Sequence, residues 1–215
     1  LKTNMETLRA CIAEAAHQMR TPLAALRAQA QLGLEEKDPD ELRRSLRAVE
    51  RNAAKLSRLL NQLLSDATVI HRSDLRHFET FDLLKVVRKA MSESVPVSGQ
   101  SEVNFHTSIK EAPYAGDALM LGEALKNLID NAIRHGDSEH GGVTVELRDE
   151  DGCYLLSVSD HGPGIPAEDR ERVFERFSRG RSNAPGVGLG LAIVRKAVEI
   201  QHGEVVLLDR ESGGL

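Results

Sequence analysis

Tryptophan is absent from this chain, and aromatic residues make up only 3% of it, as two tyrosines and five phenylalanines. A core must therefore come from Leu, Ala and Val, a composition that suits a helix-rich protein. Cysteine occurs twice, as Cys11 and Cys153, without close partners and without metal-type spacing. Reduced cytosolic thiols are the expectation. No stretch approaches the ~18 apolar residues of a membrane span, and no signal peptide is visible. Leu1 falls inside a helical pattern, so an upstream sensor or membrane segment is expected. Basic residues are not in excess: 28 Lys and Arg stand against 33 Asp and Glu, a net charge of −5. That balance excludes the electrostatic footprint of a protein bound to nucleic acid or to an anionic membrane surface. A G-x-x-x-x-G-K-[ST] loop is missing, and so is the dinucleotide G-x-G-x-x-G. What remains is 215 residues with 40% hydrophobic content, enough for one large or two small domains with a real core.

Residues 3–35 read as one helix. Met5, Leu8, Ile12, Ala15, Met19, Pro22 and Leu26 recur at alternating steps of three and four, which is a heptad seam. With Ala15 at position d, His17 is f and points away from the seam into water. Thr21 shares that exposed face one turn on. Pro22 cannot donate to the carbonyl of Gln18, which predicts a kink there. In EEKDPDEL, Pro39 ends the first pattern and Asp38 or Asp40 can cap a second helix. A new seam then runs through Leu42, Leu46, Val49, Ala53, Leu56, Leu60, Leu63, Ala67 and Ile70, with Arg43, Arg44, Arg47, Glu50, Arg51 and Arg58 opposite. Two long helices and a short loop make an antiparallel hairpin. Its seam exceeds what one hairpin can cover, so a homodimer closing a four-helix bundle is expected. Residues 71–80 lose the heptad and read as a linker.

The rest reads as an α/β domain. FDLLKVVRKAMSES (81–94) is a helix, and Val103, Phe105, Thr107 and Ile109 alternate as in a half-buried strand. DALMLGEALKNLIDNAIRH (117–135) is a helix capped by Asp117. Its core face is broad, and against it runs a polar ladder of Glu123, Asn127, Asn131, Arg134 and His135. Two asparagines in mid-helix lower helix propensity. Spaced at i and i+4, they mark a candidate site. Residues 142–162 read as a β-hairpin turning at EDG and ending in Asp160-His161-Gly162-Pro163-Gly164. There a carboxylate sits beside a backbone that a flat ligand can approach closely. A Gly/Ser/Asn/Pro-rich stretch with Arg179 and Arg181 follows Phe174 and Phe177. Gly186, Gly188 and Gly190 then open a helix, where exposed amides and the dipole favour an anion. EVVLLDR (204–210) reads as a closing strand.

Four segments taken together, AHQMRTPLAAL, EALKNLIDNA, DHGPGI and GVGLGLAIV, with RVFERF between the last two, resemble the transmitter region of sensor histidine kinases. The resemblance covers nearly the whole chain. It implies an α+β fold: an antiparallel helical hairpin that forms a four-helix bundle on dimerisation, then an α/β sandwich ATP-binding domain of the histidine kinase/gyrase/Hsp90 type. Residues 1–75 would be the dimerisation and histidine-phosphotransfer domain, and 76–215 the catalytic ATP-binding domain.

Carried over residue by residue, the resemblance makes His17 the phosphoacceptor. Asn131 becomes the ligand of Mg²⁺ bridging the phosphates of ATP, with Asn127 and Glu123 beside it. Arg134 would contact phosphate, and His135 would flank the nucleotide. Asp160 would accept a hydrogen bond from the adenine amino group. Gly162, Gly164, Gly186, Gly188 and Gly190 would shape the phosphate contacts, and Arg179 or Arg181 would reach the γ-phosphate. Phosphoryl transfer needs positioning and charge neutralisation more than covalent machinery, and an imidazole nitrogen is a competent nucleophile near pH 7.

The departure from the family is Gln18, where an acid normally follows the histidine. Gln18 can orient the ring but cannot take its proton, whereas Gln18 and Thr21 can both hold a water for hydrolysis. The expected function is therefore the cytoplasmic core of a two-component sensor kinase, standing alone or as the cytoplasmic part of an inner-membrane protein. It would autophosphorylate His17 from Mg-ATP, pass phosphate to a response-regulator receiver domain and dephosphorylate that regulator. The alternative is a nucleotide-binding dimeric scaffold, or a phosphatase-dominant protein with weak kinase activity. A gyrase-type clamp is the third reading, and the His17 hairpin argues against it.

Overall fold

The computed structural model describes residues 2–75, 78–94, 102–136, 141–175 and 190–209, with side chains in the first helix given at residue 13 and from residue 16 on, and in the second through residue 72. The chain forms two compact units, which divide between Ile70 and His71.

The first unit is the helical hairpin. Helix α1 (Lys2–Glu35) runs without interruption through Pro22, and α2 (Pro39–Leu75) follows after three residues. Asp38 makes the turn: its Oδ1 accepts the backbone N–H of Asp40 at 2.8 Å and that of Glu41 at 3.4 Å. Pro39 occupies the first helical position, where a missing N–H costs nothing. The face expected to be polar is exposed at Arg43, Arg44, Arg47, Glu50, Arg51 and Arg58. Leu23, Leu32, Leu34, Leu46, Leu60 and Leu64 are exposed as well. On α2, Leu46, Leu60 and Leu64 share one side, so the single hairpin leaves apolar side chains of that helix in water. The expected linker is shorter than predicted, because α2 continues to Leu75 after its heptad has ended.

The second unit contains β1 (Glu79–Asp82), α3 (Leu83–Ser94), β2 (Val103–Thr107), β3 (Pro113–Gly116), α4 (Ala118–His135), β4 (Val143–Glu150), β5 (Cys153–Ser159), two single 3₁₀ turns (Ala167–Asp169 and Arg172–Phe174) and α5 (Gly190–Ile200). Strands β2, β4 and β5 form one sheet, with β2 parallel to β4 and β5 antiparallel to it. The β4–β5 turn is the expected one: Asp151 and Gly152 take positive φ of 52° and 85°, as a tight hairpin requires. Strands β1 and β3 make a separate antiparallel pair. Asp82 ties this pair to α3, since its Oδ1 accepts the N–H of Leu84 and of Ala112, each at 3.1 Å.

Alternation along β4 turns Val143, Val145 and Leu147 inward. With Leu83, Leu84, Val87 and Ala90 of α3 and Leu125 and Ile129 of α4, Val145 and Leu147 belong to one apolar core between sheet and helices. Each such side chain contributes roughly 1.5–3 kcal/mol by leaving water. Strand β3 has no counterpart in the sequence reading, because four residues beginning with proline carry too little pattern. One expectation fails: of the closing strand expected at 204–210, residues 204–209 pair with no other strand among the described residues. Asp209 instead forms an ion pair with Arg170. Ile129→Ala removes a fully buried side chain at the centre of this core. It is expected to destabilise the second unit by about 2–5 kcal/mol, measured by urea unfolding.

Candidate functional site

Helix α4 organises the site because its two faces do different work. Asp117 starts it, accepting the N–H groups of Leu119 and Met120 on Oδ1, each at 3.0 Å. One face then buries Met120, Ala124, Leu125 and Ile129. Four-residue spacing places Glu123, Asn127 and Asn131 in a row. Asn127 is 92% buried, at 8% exposure, and its amide nitrogen donates to the carbonyl of Glu123 at 2.9 Å. That bond orients the amide within the row. The carboxylate of Glu123 is ion-paired with Lys126, which also reaches Glu93 of α3 at 3.2 Å.

The start of α5 runs close over this row. A Cβ placed on Gly190 would lie 3.3 Å from both Asn127 Oδ1 and Asn131 Nδ2. The first turn of α5, where backbone N–H groups lack partners within their own helix, is thus brought beside the two amide side chains. The end of β5 closes on the last turn of α4. A Cβ on Gly162 would collide with the carbonyl oxygen of His135, and one on Gly136 would stand 3.1 Å from Asp160 Cβ. Asp160, at 9% exposure, accepts the N–H of Gly162 on Oδ1 at 2.7 Å, which fixes the carboxylate at the end of β5. Gly164 turns the chain away at a φ of 71°. His135 is held below its ordinary pKa by partial burial and then by the positive charge of Arg134, with Asp160 acting in the opposite direction. A neutral imidazole, rather than an imidazolium, therefore borders the pocket at pH 7.

The structure thus brings together Glu123, Asn127, Asn131, Arg134, His135, Asp160, Gly162, Gly164 and Gly190 in one unit. Arg179, Arg181, Gly186 and Gly188 lie outside the described residues. Phe174, expected as an aromatic anchor, is buried under the guanidinium of Arg195, 4.0 Å from the ring centroid. In the hairpin, His17 and Thr21 are exposed on α1, as the heptad predicts, and Gln18 is half-buried. Sequence reasoning missed Arg72 and Gln201, which meet at Asp117. They stand apart in the chain, and no local pattern signals their contact.

Residues 7–70 match the family described as the His Kinase A (phospho-acceptor) domain. Residues 116–215 match the Histidine kinase-, DNA gyrase B-, and HSP90-like ATPase family. The sensor protein kinase PmrB of Pseudomonas aeruginosa is 33% identical over 211 residues, covering 96% of this chain and 44% of that protein. The chain belongs to the sensor histidine kinase family. The signal transduction histidine-protein kinase/phosphatase MprB of Mycobacterium avium is 35% identical over 211 residues, or 94% of this chain and 40% of that one. The chain thus spans less than half the length of either relative. Among solved structures, the Acinetobacter baumannii histidine kinase AdeS superposes with a TM-score of 0.58 at 26% identity, over 86% of each chain. The histidine kinase ThkA, solved with the response regulator TrrA, shares the fold over 99% of this chain and 61% of that one, with a TM-score of 0.72 and 24% identity.

Within this histidine kinase fold, the contact between β5 and α4 tolerates no side chain. Gly162→Ala is expected to cost about 1–3 kcal/mol in stability by overpacking, read by thermal unfolding. Gly152→Ala meets nothing nearby, so its smaller loss should reflect only the positive φ.

Proposed function

We propose that this chain is the catalytic core of a two-component sensor kinase that transfers the γ-phosphoryl group of ATP to His17. The observation that carries the reading is a pair of sites. An exposed histidine stands in the matched box of one unit, and a polar pocket with buried Asn127 and Asp160 stands in the other. In the proposed reaction a ring nitrogen of His17 bonds to the γ-phosphorus as the bond to the β–γ bridging oxygen breaks. ADP leaves, and the proton displaced from the ring passes to solvent, because Gln18 can accept a hydrogen bond but not a proton. The proposed division is phosphotransfer and dimerisation in residues 1–75 and nucleotide binding in 76–215.

The donor set fits Mg-ATP. Among the described residues no three His, Cys, Asp or Glu side chains gather as a metal site. Mg²⁺, which favours oxygen ligands and keeps its waters, suits an amide oxygen and phosphates. Asn131 is the proposed ligand, with Asn127 beside it. Glu123 would have to exchange Lys126 for the cation. When bound, Mg²⁺ neutralises phosphate charge. Asp160 accepts from the adenine amino group, His135 flanks the base, and Arg134 contacts phosphate. Gly162, Gly164, Gly186, Gly188 and Gly190 admit the ligand to the backbone, and Arg179 or Arg181 meets the γ-phosphate.

The exposed leucines on one side of α2 support a homodimer closed into a four-helix bundle. The proposed partner for phosphotransfer is a response-regulator receiver domain, in keeping with the ThkA–TrrA pairing. No helix among the described residues is long and apolar enough to cross a membrane, and the proposed location of this core is the cytoplasm. Gln18 favours a second activity: with Thr21 it can hold a water against a regulator's aspartyl phosphate. The naming of MprB as a kinase/phosphatase supports it.

Incubation with γ-labelled ATP should give an acid-labile, alkali-stable label that His17→Ala abolishes; undiminished labelling of that variant would overturn the assignment. Leu60→Asp should dissociate the dimer, seen by sedimentation, because a charge enters the seam. Gln18→Glu should raise the autophosphorylation rate by up to about 10²-fold, near the bottom of the range for general-base catalysis. The same change should slow regulator dephosphorylation, since a second negative charge stands beside the attacked phosphate. An unchanged or lower kinase rate would show that Gln18 does not restrain the forward reaction.

A further inference from the structure

The N-cap of α4 carries more than a helix start. Asp117 is 2% exposed, and both of its oxygens are used. Oδ1 takes the two amides of the first turn. Oδ2 accepts from Nε of Arg72, in the last turn of α2, at 2.6 Å. The backbone N–H of Asp117 donates to Oε1 of Gln201, just past α5, at 2.8 Å. Gln201 is itself fixed: its Nε2 donates to the carbonyl of Ala197 at 3.1 Å, and its own carbonyl accepts the hydroxyl of Tyr114 at 3.1 Å. Gly116 leaves room for this amide, since a Cβ there would collide with Gln201 Oε1. One buried node therefore joins the N-terminus of α4 to the C-terminal end of α5. At the other end of the same helix pair, Gly190 lies against Asn127 and Asn131.

We propose that Arg72 is a positioning residue for the nucleotide: by completing the charge of Asp117 it fixes the registry of α4 against α5, and so the place where Asn127 and Asn131 meet the phosphates. Arg72 falls outside both matched family regions, 7–70 and 116–215. From Asp117 to Asn131 is about 21 Å along the helix at 1.5 Å per residue. A rigid helix transmits a slide or rotation over that length, whereas Asp160, the proposed adenine contact, is carried by the segment that follows β5, which the node does not touch. A buried carboxylate stripped of its cation is strongly disfavoured, so the node has reason to rearrange when Arg72 is lost.

This inference rests on the reading of Asn131 as the Mg-phosphate ligand. Its test is calorimetry on the whole chain with two probes, Mg-ATP and ADP in excess EDTA. Arg72→Gln should weaken Mg-ATP about tenfold, within the usual span of coupling between separate sites, and ADP without metal by no more than about twofold. Arg72→Lys, which keeps the charge without the rigid fork, should recover part of the loss. The double variant Arg72→Gln with Asp117→Asn should be no weaker than the worse single variant, since both act through one contact. Unchanged Mg-ATP affinity in Arg72→Gln, an equal loss for both probes or additive losses in the double variant would each overturn the proposal. Asn131→Ala separates the two claims. If it leaves Mg-ATP binding intact, the site reading fails and this inference with it; if it abolishes binding while Arg72→Gln does not weaken it, only the role of Arg72 falls.

Discussion

No side chain fits between the end of β5 and the last turn of α4, and the pocket depends on that contact. Gly162 sits against the carbonyl of His135, and Gly136 sits against Asp160. Because neither residue carries a Cβ, a buried carboxylate from the sheet and the polar row of a helix come to border the same space. The rest of the second unit supports this approach. Val145 and Leu147 of β4 pack on Leu125 and Ile129 of α4 and hold the sheet against the opposite face of the helix. Core packing and ligand geometry are therefore two faces of one helix.

The polar residues of α4 are affordable there only because each has work to do. Asparagine in mid-helix is disfavoured by propensity, and a buried amide without partners is disfavoured further. Asn127 resolves both by back-bonding to the carbonyl of Glu123, which also fixes the orientation of its amide. Lys126 answers the charge of Glu123. At the C-terminus, Arg134 is favourably placed for the helix dipole, and the depressed pKa of His135 keeps its ring neutral beside Asp160. Preorganisation of this kind leaves little reordering for binding to impose.

Much of this was legible in the sequence, for reasons specific to each element. The hairpin was readable because a heptad repeats over many turns, and Pro39, with Asp38 or Asp40 as the cap, punctuates it. Helix α4 and the β4–β5 hairpin were readable from period and turn chemistry, and the turn falls at the expected Glu150-Asp151-Gly152. Strand β3 was not, since four residues beginning with proline carry too little pattern. The apolar run within 204–210 reads like a strand, yet strand formation needs a partner edge as well as a pattern. The node at Asp117 was invisible because it joins residues 45 and 84 positions apart in the chain, and no local rule encodes such a contact. The ligand-facing roles of Asn131 and Asp160 came from family resemblance; the structure adds that the elements bearing them converge.

The central claim is that one pocket, bounded by the C-terminal half of α4, the end of β5 and the start of α5, takes the nucleotide. Amide hydrogen exchange with and without Mg-ATP tests it directly. The account predicts new protection concentrated in residues 127–136, 160–164 and the first turn of α5, with α3 and β2 unchanged. Protection centred on α3 and β2, or none at Asp160–Gly164, would contradict it.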